Sequence, residues 1–167
     1  MLNTRTTWLI AGLVAVALAT GILLIGSPDG ATRPDREGTI EIVVDRYRFE
    51  PAVIAIPSDE PVTLRFVNTN DFIYHLAFGQ DRFETDGVPT GFERDLFAGA
   101  VAQADPPQAW RAPTANVAAV TINLYEQSTS TITVTLPEGR EGTWEAGCFV
   151  GRGCTAELHE AFTIIVE

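Results

Sequence analysis

The sequence is poor in the residue types that bind nucleic acids. It contains no lysine, and its 11 arginines face 22 aspartates and glutamates, which leaves a formal net charge of -11. A chain this acidic is not expected to bind a phosphate backbone, so a protein partner should be basic or cationic. The sequence also lacks a glycine-rich phosphate loop, a G-x-S-x-G elbow and an H-E-x-x-H helix. Nothing in it therefore indicates an enzyme.

Residues that ligate soft metals are equally few. The chain has two cysteines, Cys148 and Cys154, and two histidines, His75 and His159. Met1 is its only methionine. A metal site with sulfur or imidazole ligands must draw on these few side chains.

One long apolar run lies near the N-terminus. Residues Trp8 to Ile25 carry no charge, and Arg5 precedes them. This run predicts a membrane anchor within residues 1–26, most simply an uncleaved transmembrane helix with the rest of the chain on the periplasmic or extracellular side. A cleaved signal segment is the alternative, and it exports the domain as well. Residues 27–38 predict a linker, and residues 39–167 predict one globular domain.

Short alternating runs fill most of that domain. They cover residues 39–49, 52–57, 61–68, 116–126, 130–137, 142–150 and 161–167. Turn residues separate the runs, so the pattern predicts an all-β sandwich. The exception is Thr90 to Gln103, which predicts one short helical insertion because its apolar residues recur at helical spacing: Phe92, Leu96, Phe97, Ala100 and Val101.

The two cysteines allow two interpretations. In an exported domain, two cysteines separated by five residues most often form a disulfide. His159 follows Cys154 closely, and His75 lies upstream at a strand boundary. Because loops converge at the end of a sandwich, these side chains also allow a metal site. The pattern alone leaves both interpretations open.

The order of these features resembles the cupredoxin family. The resemblance covers residues 38–167 and rests on an F-x-P turn at Phe49 to Pro51, the strand PVTLRFVN at Pro61 to Asn68, Asp71 followed by His75, and an ending that reads WEAGCFV, HEA and TIIV. In that family the fold is a Greek-key β-sandwich. The implied architecture is thus a cupredoxin-like sandwich with one short helical insertion, preceded by a single N-terminal transmembrane helix.

The resemblance also implies a site for one copper ion. His75 and His159 match the imidazole ligands, and either cysteine could match the thiolate, with Cys148 as the expected ligand. Cys154 is either a further ligand or the disulfide partner of Cys148. A dinuclear copper centre, which also uses two cysteines of one loop, is a poorer match because its spacing differs. The family's axial methionine has no counterpart beyond Met1.

Two functions follow as expectations. The first is one-electron transfer through copper by a membrane-anchored, extracytoplasmic domain, close to membrane-bound redox proteins. The second is a copper-free binding or assembly module in which Cys148 and Cys154 form a disulfide. The two differ in the state of the cysteines, because an electron carrier of this kind needs a free thiolate. In either case the predicted helix at Thr90 to Gln103 is the expected partner surface.

Overall fold

The computed structural model describes residues 30–46, 48–85, 88–113, 119–149 and 162–167. The predicted membrane span lies outside these ranges. Within them, no helix is long and apolar enough to cross a membrane. The described residues form twelve strands and one short 3-10 turn at Pro107–Ala109. The strands are β1 (Thr39–Asp45), β2 (Arg48–Glu50), β3 (Val53–Ile56), β4 (Val62–Asn68), β5 (Tyr74–Thr85), β6 (Val88–Asp95), β7 (Val101–Asp105), β8 (Trp110–Arg111), β9 (Thr121–Leu124), β10 (Thr129–Thr135), β11 (Gly142–Cys148) and β12 (Thr163–Val166).

The strands build two sheets packed face to face. One sheet has five strands in the order β2-β1-β4-β10-β7, and the other has the order β3-β12-β11-β5-β9-β8, with β6 paired to β5. Strand β4 shows why the sequence forms this arrangement, since Val62, Leu64 and Phe66 are buried while the residues between them are partly exposed. Such alternation buries one face of each sheet. The predicted all-β sandwich is confirmed.

Aromatic rings fill the centre between the sheets. The ring of Phe162 stacks on Phe49 with centroids 5.0 Å apart. It also meets the edges of Phe66 and Phe78 at 6.3 and 6.0 Å. Fully buried aromatic side chains contribute strongly to the stability of such a core. The entry to β12 is therefore held in place by packing.

The predicted short helix at Thr90 to Gln103 is wrong. This segment forms the end of β6, a turn at residues 96–99 and the start of β7. The carboxylate of Asp95 accepts a hydrogen bond from the main-chain N–H of Phe97 at 3.0 Å, which starts the turn. Val101, which a helix would have buried, is 76% exposed. The apolar residues recur at helical spacing because a strand is followed by a turn. Since this segment is not a helix, the expected helical partner surface is also wrong.

The first predicted strand is also divided. The run at residues 39–49 forms β1 and β2, which pair as a hairpin with Asp45 opposite Arg48. Arg46 lies in the left-handed region at a φ of 53°. A turn of this kind needs such a residue, and the side-chain pattern gives no sign of it.

The two ends of the sandwich differ in character. One end, here the histidine end, consists of the loops at residues 69–73 and 125–128 together with the start of β5 and the end of β11. The other end, here the acidic end, consists of the turn at residues 35–38 and the loops at residues 57–61 and 137–141. The acidic end exposes Asp35, Glu37, Asp59, Glu60, Glu138 and Glu141.

Candidate metal centre

His75 lies near the start of β5, opposite Asn123 on β9. Its Nδ1 is 2.6 Å from the side-chain oxygen of Asn123. The side-chain nitrogen of Asn123 donates to the main-chain oxygen of Gln108 at 3.1 Å. Because only the amide nitrogen can donate to a carbonyl, this second bond orients the amide with its oxygen toward the imidazole. Nδ1 of His75 therefore donates the proton, and Nε2 keeps the lone pair.

Asn123 is the functional residue that sequence reasoning missed. It is 1% exposed and lies between Ile122 and Leu124 in a strand whose residues are all buried. A buried amide in such a strand requires hydrogen-bond partners, and this was the available signal. Histidines that ligate metals usually donate their other ring N–H to an oxygen acceptor, which fixes the tautomer. The pair of His75 and Asn123 has this arrangement.

Cys148 is the last residue of β11 and belongs to the main core. Its side chain is 2% exposed, and it lies opposite Leu76 of β5. Cys148 is disulfide-bonded. The sequence contains one other cysteine, Cys154, which lies outside the described residues. A sulfur in a disulfide is not a thiolate, and the thiolate is the form that binds metals.

His75 and Cys148 belong to the same end of one sheet but to opposite faces. Cys148 pairs with Leu76, and both are part of the core between the sheets. His75 precedes Leu76, and successive side chains of a strand point to opposite faces. The hydrogen bond from His75 to Asn123, which precedes core residue Leu124, is consistent with this assignment. The structure thus brings the two residues near one another along the sheet without directing both into one pocket.

The remaining predicted ligands, His159 and Cys154, lie outside the described residues. In the part of the chain that the structure describes, no group of three or more His, Cys, Asp or Glu side chains could hold a metal ion. A type 1 copper site needs a thiolate beside its imidazoles, and the disulfide at Cys148 removes it. In this form the described residues do not fit a copper ion, and the ligand set stays a prediction.

A second, small apolar cluster covers the sheet beside His75. It contains Ala77, Phe92, Ala119 and Phe149. The rings of Phe92 and Phe149 meet edge to face with centroids 5.2 Å apart. They lie directly over glycines of the sheet, since a Cβ at Gly147 would be 2.4 Å from the ring of Phe149. The glycine is therefore required by close approach. The cluster gives the imidazole an apolar neighbour on its own face of the sheet.

Asp95 is a partly buried acid that lies away from the histidine end. Burial raises its pKa above the ordinary value of 3.8, and this outweighs the opposing effects of hydrogen bonds from the N–H groups of Val120 and Phe97 and of the charge on Arg140. The carboxylate lies 2.8 Å from the main-chain nitrogen of Val120. Because it bridges two chain segments, we assign Asp95 a structural role.

No family model and no curated protein matches this chain. Among solved structures, it is similar to auracyanin B, at 22% identity over 77% of this chain and 88% of that one, with a TM-score of 0.45. It is similar to auracyanin of the photosynthetic bacterium Roseiflexus castenholzii, at 19% identity over 83% and 99% of the two chains, with a TM-score of 0.46. A third similar structure is auracyanin A, a "blue" copper protein of Chloroflexus aurantiacus, at 15% identity over 77% and 98%, with a TM-score of 0.45. These neighbours are cupredoxins.

Proposed function

We propose that this chain is an extracytoplasmic, cupredoxin-like domain that works as a copper-free binding or assembly module. The observation that carries this proposal is the disulfide at Cys148, whose side chain is 2% exposed within the core. Cys154 is the partner available within the chain. A disulfide that closes so short a loop stabilises the fold by about 2 kcal/mol in the chain-entropy model. The sulfur then serves stability, and a thiolate for metal binding is absent.

The membrane anchor is part of the same proposal. The uncharged run from Trp8 to Ile25 is long enough to span a bilayer. Export through that span would place the domain in an oxidising compartment, where disulfides form and persist. The anchor and the disulfide therefore support each other.

The partner of such a module is expected to be basic. The net charge of -11 favours a cationic surface as partner. The exposed carboxylates of the acidic end include Asp59, Glu60, Glu138 and Glu141. This end is therefore the favoured contact surface for the partner. Its contribution would fall as ionic strength rises, because exposed charges are screened by salt.

A second function is favoured by a different observation. The tautomer of His75 is fixed by Asn123 with Nε2 free, which is how imidazoles that ligate metals are oriented. If the disulfide is reduced, Cys148 becomes a free thiol. A copper site with His75 and His159 would then also require the end of β11 to rearrange, because His75 and Cys148 lie on opposite faces of the sheet. The chain would then be a copper-binding one-electron carrier anchored near membrane-bound redox proteins.

Copper titration of the full chain in detergent separates the two functions. Copper(II) is added to the untreated protein, to the protein reduced with a dithiol, and to the Cys154→Ser variant, which leaves Cys148 free without a reductant. The binding-module proposal predicts no intense thiolate-to-copper absorption band in any of the three. A band that is present after reduction and in Cys154→Ser, and absent in Cys148→Ser and His75→Gln, would refute it and establish the copper–thiolate site that the carrier requires.

A further inference from the structure

We propose that strand β7 binds an extended basic segment of a partner protein, which adds to the five-stranded sheet as a further strand. This inference rests on the binding module stated under the proposed function, and it names the surface and the form of the partner. It follows from the direction of the main-chain hydrogen bonds of β7, from a partly covered margin of the core beside it, and from the carboxylates near its two ends.

The hydrogen-bonding direction of β7 follows from its neighbours in the sheet. The N–H of Asn68 donates to the main-chain oxygen of Ser128 at 2.8 Å, in line with the register that joins β4 and β10. Because the bonding direction alternates along an antiparallel strand, Thr133 of β10 points its N–H and C=O away from β4 and toward β7. Thr133 is paired with Gln103. Gln103 and every second residue of β7 therefore bond to β10.

The residues between them bond in the opposite direction. The N–H and C=O groups of Ala102 and Ala104, here the open edge, point away from β10. β7 is the last strand of its sheet, and within the described ranges no residue donates to these groups or accepts from them. A row of unpaired main-chain groups is a template for the pairing of another strand.

Two other sheet edges are protected by the chain itself. Beside β3, the N–H of Thr32 donates to the main-chain oxygen of Val53 at 3.0 Å, and the oxygen of Thr32 accepts from Ala55 at 2.9 Å. At the far side of the five-stranded sheet, β2 has three residues and is followed by Pro51. β7 has five residues, with no proline and no charged side chain before its last residue, Asp105. It thus lacks most of the features that protect edge strands.

The core is incompletely covered beside the open edge. In the part of the chain that the structure describes, the partly buried apolar side chains that pack against the main core all lie on this side: Ala100, Ala102, Ala104 and Trp110. Trp110 begins β8 of the other sheet, and its ring meets that of Phe97 with centroids 5.2 Å apart. Val101, at the start of β7, is 76% exposed. A strand added at the open edge would cover this margin with every second side chain, because alternate side chains of a strand share one face.

Carboxylates near both ends of β7 favour a basic segment. Asp105 is exposed at the end of the strand, and Glu138 is exposed just after β10, near the start of β7. The guanidinium of Arg140, in the same loop as Glu138, donates to the main-chain oxygen of Ala98 at 2.7 Å and is thus engaged within the chain. Arg111 is exposed as well, but it lies on β8 of the other sheet. Because β7 starts at the acidic end, a segment bound along it also meets the carboxylates of that end.

Peptide binding to the full chain in detergent tests the open edge. The probe is a fluorescently labelled peptide of alternating arginine and valine, and anisotropy measures its dissociation constant. The matched control peptide has the same sequence with all main-chain nitrogens methylated, which keeps the charge and removes the N–H donors. We expect the methylated peptide to bind about tenfold more weakly or worse, because main-chain hydrogen bonds carry the affinity of an added strand.

Variants at Ala104 give the same test on the protein. Ala104→Pro removes an outward N–H, and proline is tolerated in an edge strand where the N–H faces solvent. Ala104→Ser keeps this N–H and is the matched control. Ala104→Pro should weaken binding of the unmethylated peptide about tenfold, and Ala104→Ser should leave it within about twofold of wild type. Circular dichroism checks that both variants fold, and the methylated peptide on wild type decides the question if Ala104→Pro does not.

Three results would overturn the inference, and they are distinguishable. If both peptides bind equally tightly and Ala104→Pro has no effect, a basic partner binds by charge alone, so strand addition is wrong while the proposed binding module stands. If neither peptide binds, the basic partner stated under the proposed function is wrong as well. If wild type sediments as a dimer and Ala104→Pro as a monomer, the open edge binds a second copy of this chain instead of a basic segment.

Discussion

Replacement of Asn68 by alanine should destabilise the domain by disconnecting the loops of the histidine end. Asn68 is 2% exposed. Its side-chain nitrogen donates to the main-chain oxygens of Phe72 and Tyr125 at 2.8 and 2.7 Å. Its side-chain oxygen accepts from the main-chain and side-chain nitrogens of Asn70 at 3.0 and 3.1 Å. The variant leaves all of these partners without Asn68, and water can replace the amide only at the partly buried oxygens of Phe72 and Tyr125.

The size of the effect follows from these bonds. Each hydrogen bond contributes about 1 kcal/mol net, and part of the loop can be rehydrated, so we expect a loss of about 3 kcal/mol in the free energy of unfolding. With a urea m-value of about 1.5 kcal/mol/M, the midpoint of unfolding should fall by about 2 M. The assay is urea denaturation followed by tryptophan fluorescence and circular dichroism.

A matched control comes from the same strand. Thr63 is also a polar residue of β4, but its hydroxyl bonds the hydroxyl of Thr133 at an exposed position. Thr63→Ala should change the stability by no more than about 0.5 kcal/mol. If Asn68→Ala is no more destabilising than Thr63→Ala, the buried amide does not hold the loops together, and the reasoning is refuted.

Three further predictions concern the aromatic cover of the sheet, the buried carboxyl of Asp95 and the tautomer of His75. Gly79→Ala should destabilise the domain by about 3 kcal/mol, because the added Cβ would lie 2.3 Å from the ring of Phe92, and urea denaturation measures the loss. Asp95→Asn should gain stability relative to wild type as the pH rises from about 3.8 through the raised pKa of Asp95, because the ionised form is disfavoured by burial in the folded state. The imidazole of His75 should be an Nδ1–H tautomer at alkaline pH, because Asn123 accepts that proton, and nitrogen NMR shifts report it.

Each of these has a result that contradicts it. If Gly79→Ala folds with wild-type stability, the ring of Phe92 does not pack against the sheet at Gly79 as described. If the free energy of unfolding of wild type instead rises relative to that of Asp95→Asn as the pH rises, burial does not raise the pKa of Asp95. If His75 is an Nε2–H tautomer, Asn123 does not orient the ring. The same conclusion follows if the Nδ1–H tautomer persists unchanged in Asn123→Ala.

The sandwich could be predicted because its signal is local. In β4 and β10 every second residue is buried, and all of these residues except Asn68 and Ser130 are apolar and belong to the core. The segment at residues 90–103 misled the same reasoning, because a strand and a turn reproduced helical spacing. Its structure is set by pairing with β5 and by the Asp95 turn, and neither is visible in a short window of sequence.

The candidate site was harder to predict than the fold. The sequence identified His75 and Cys148 as chemically important, but it could not assign them to opposite faces, because that depends on the pairing of Cys148 with Leu76. Asn123 was overlooked because its amide is not a ligand of soft metals, although it orients the imidazole of His75. Spacing left open both a metal site and a disulfide, since a cysteine pair serves either.

The disulfide at Cys148 is tested by counting free thiols in the denatured, unreduced full chain, using alkylation and mass measurement. We expect that neither Cys148 nor Cys154 reacts before reduction and that both react after it. If both thiols of the untreated protein react, no disulfide exists, and the proposed copper-free module loses the observation on which it rests.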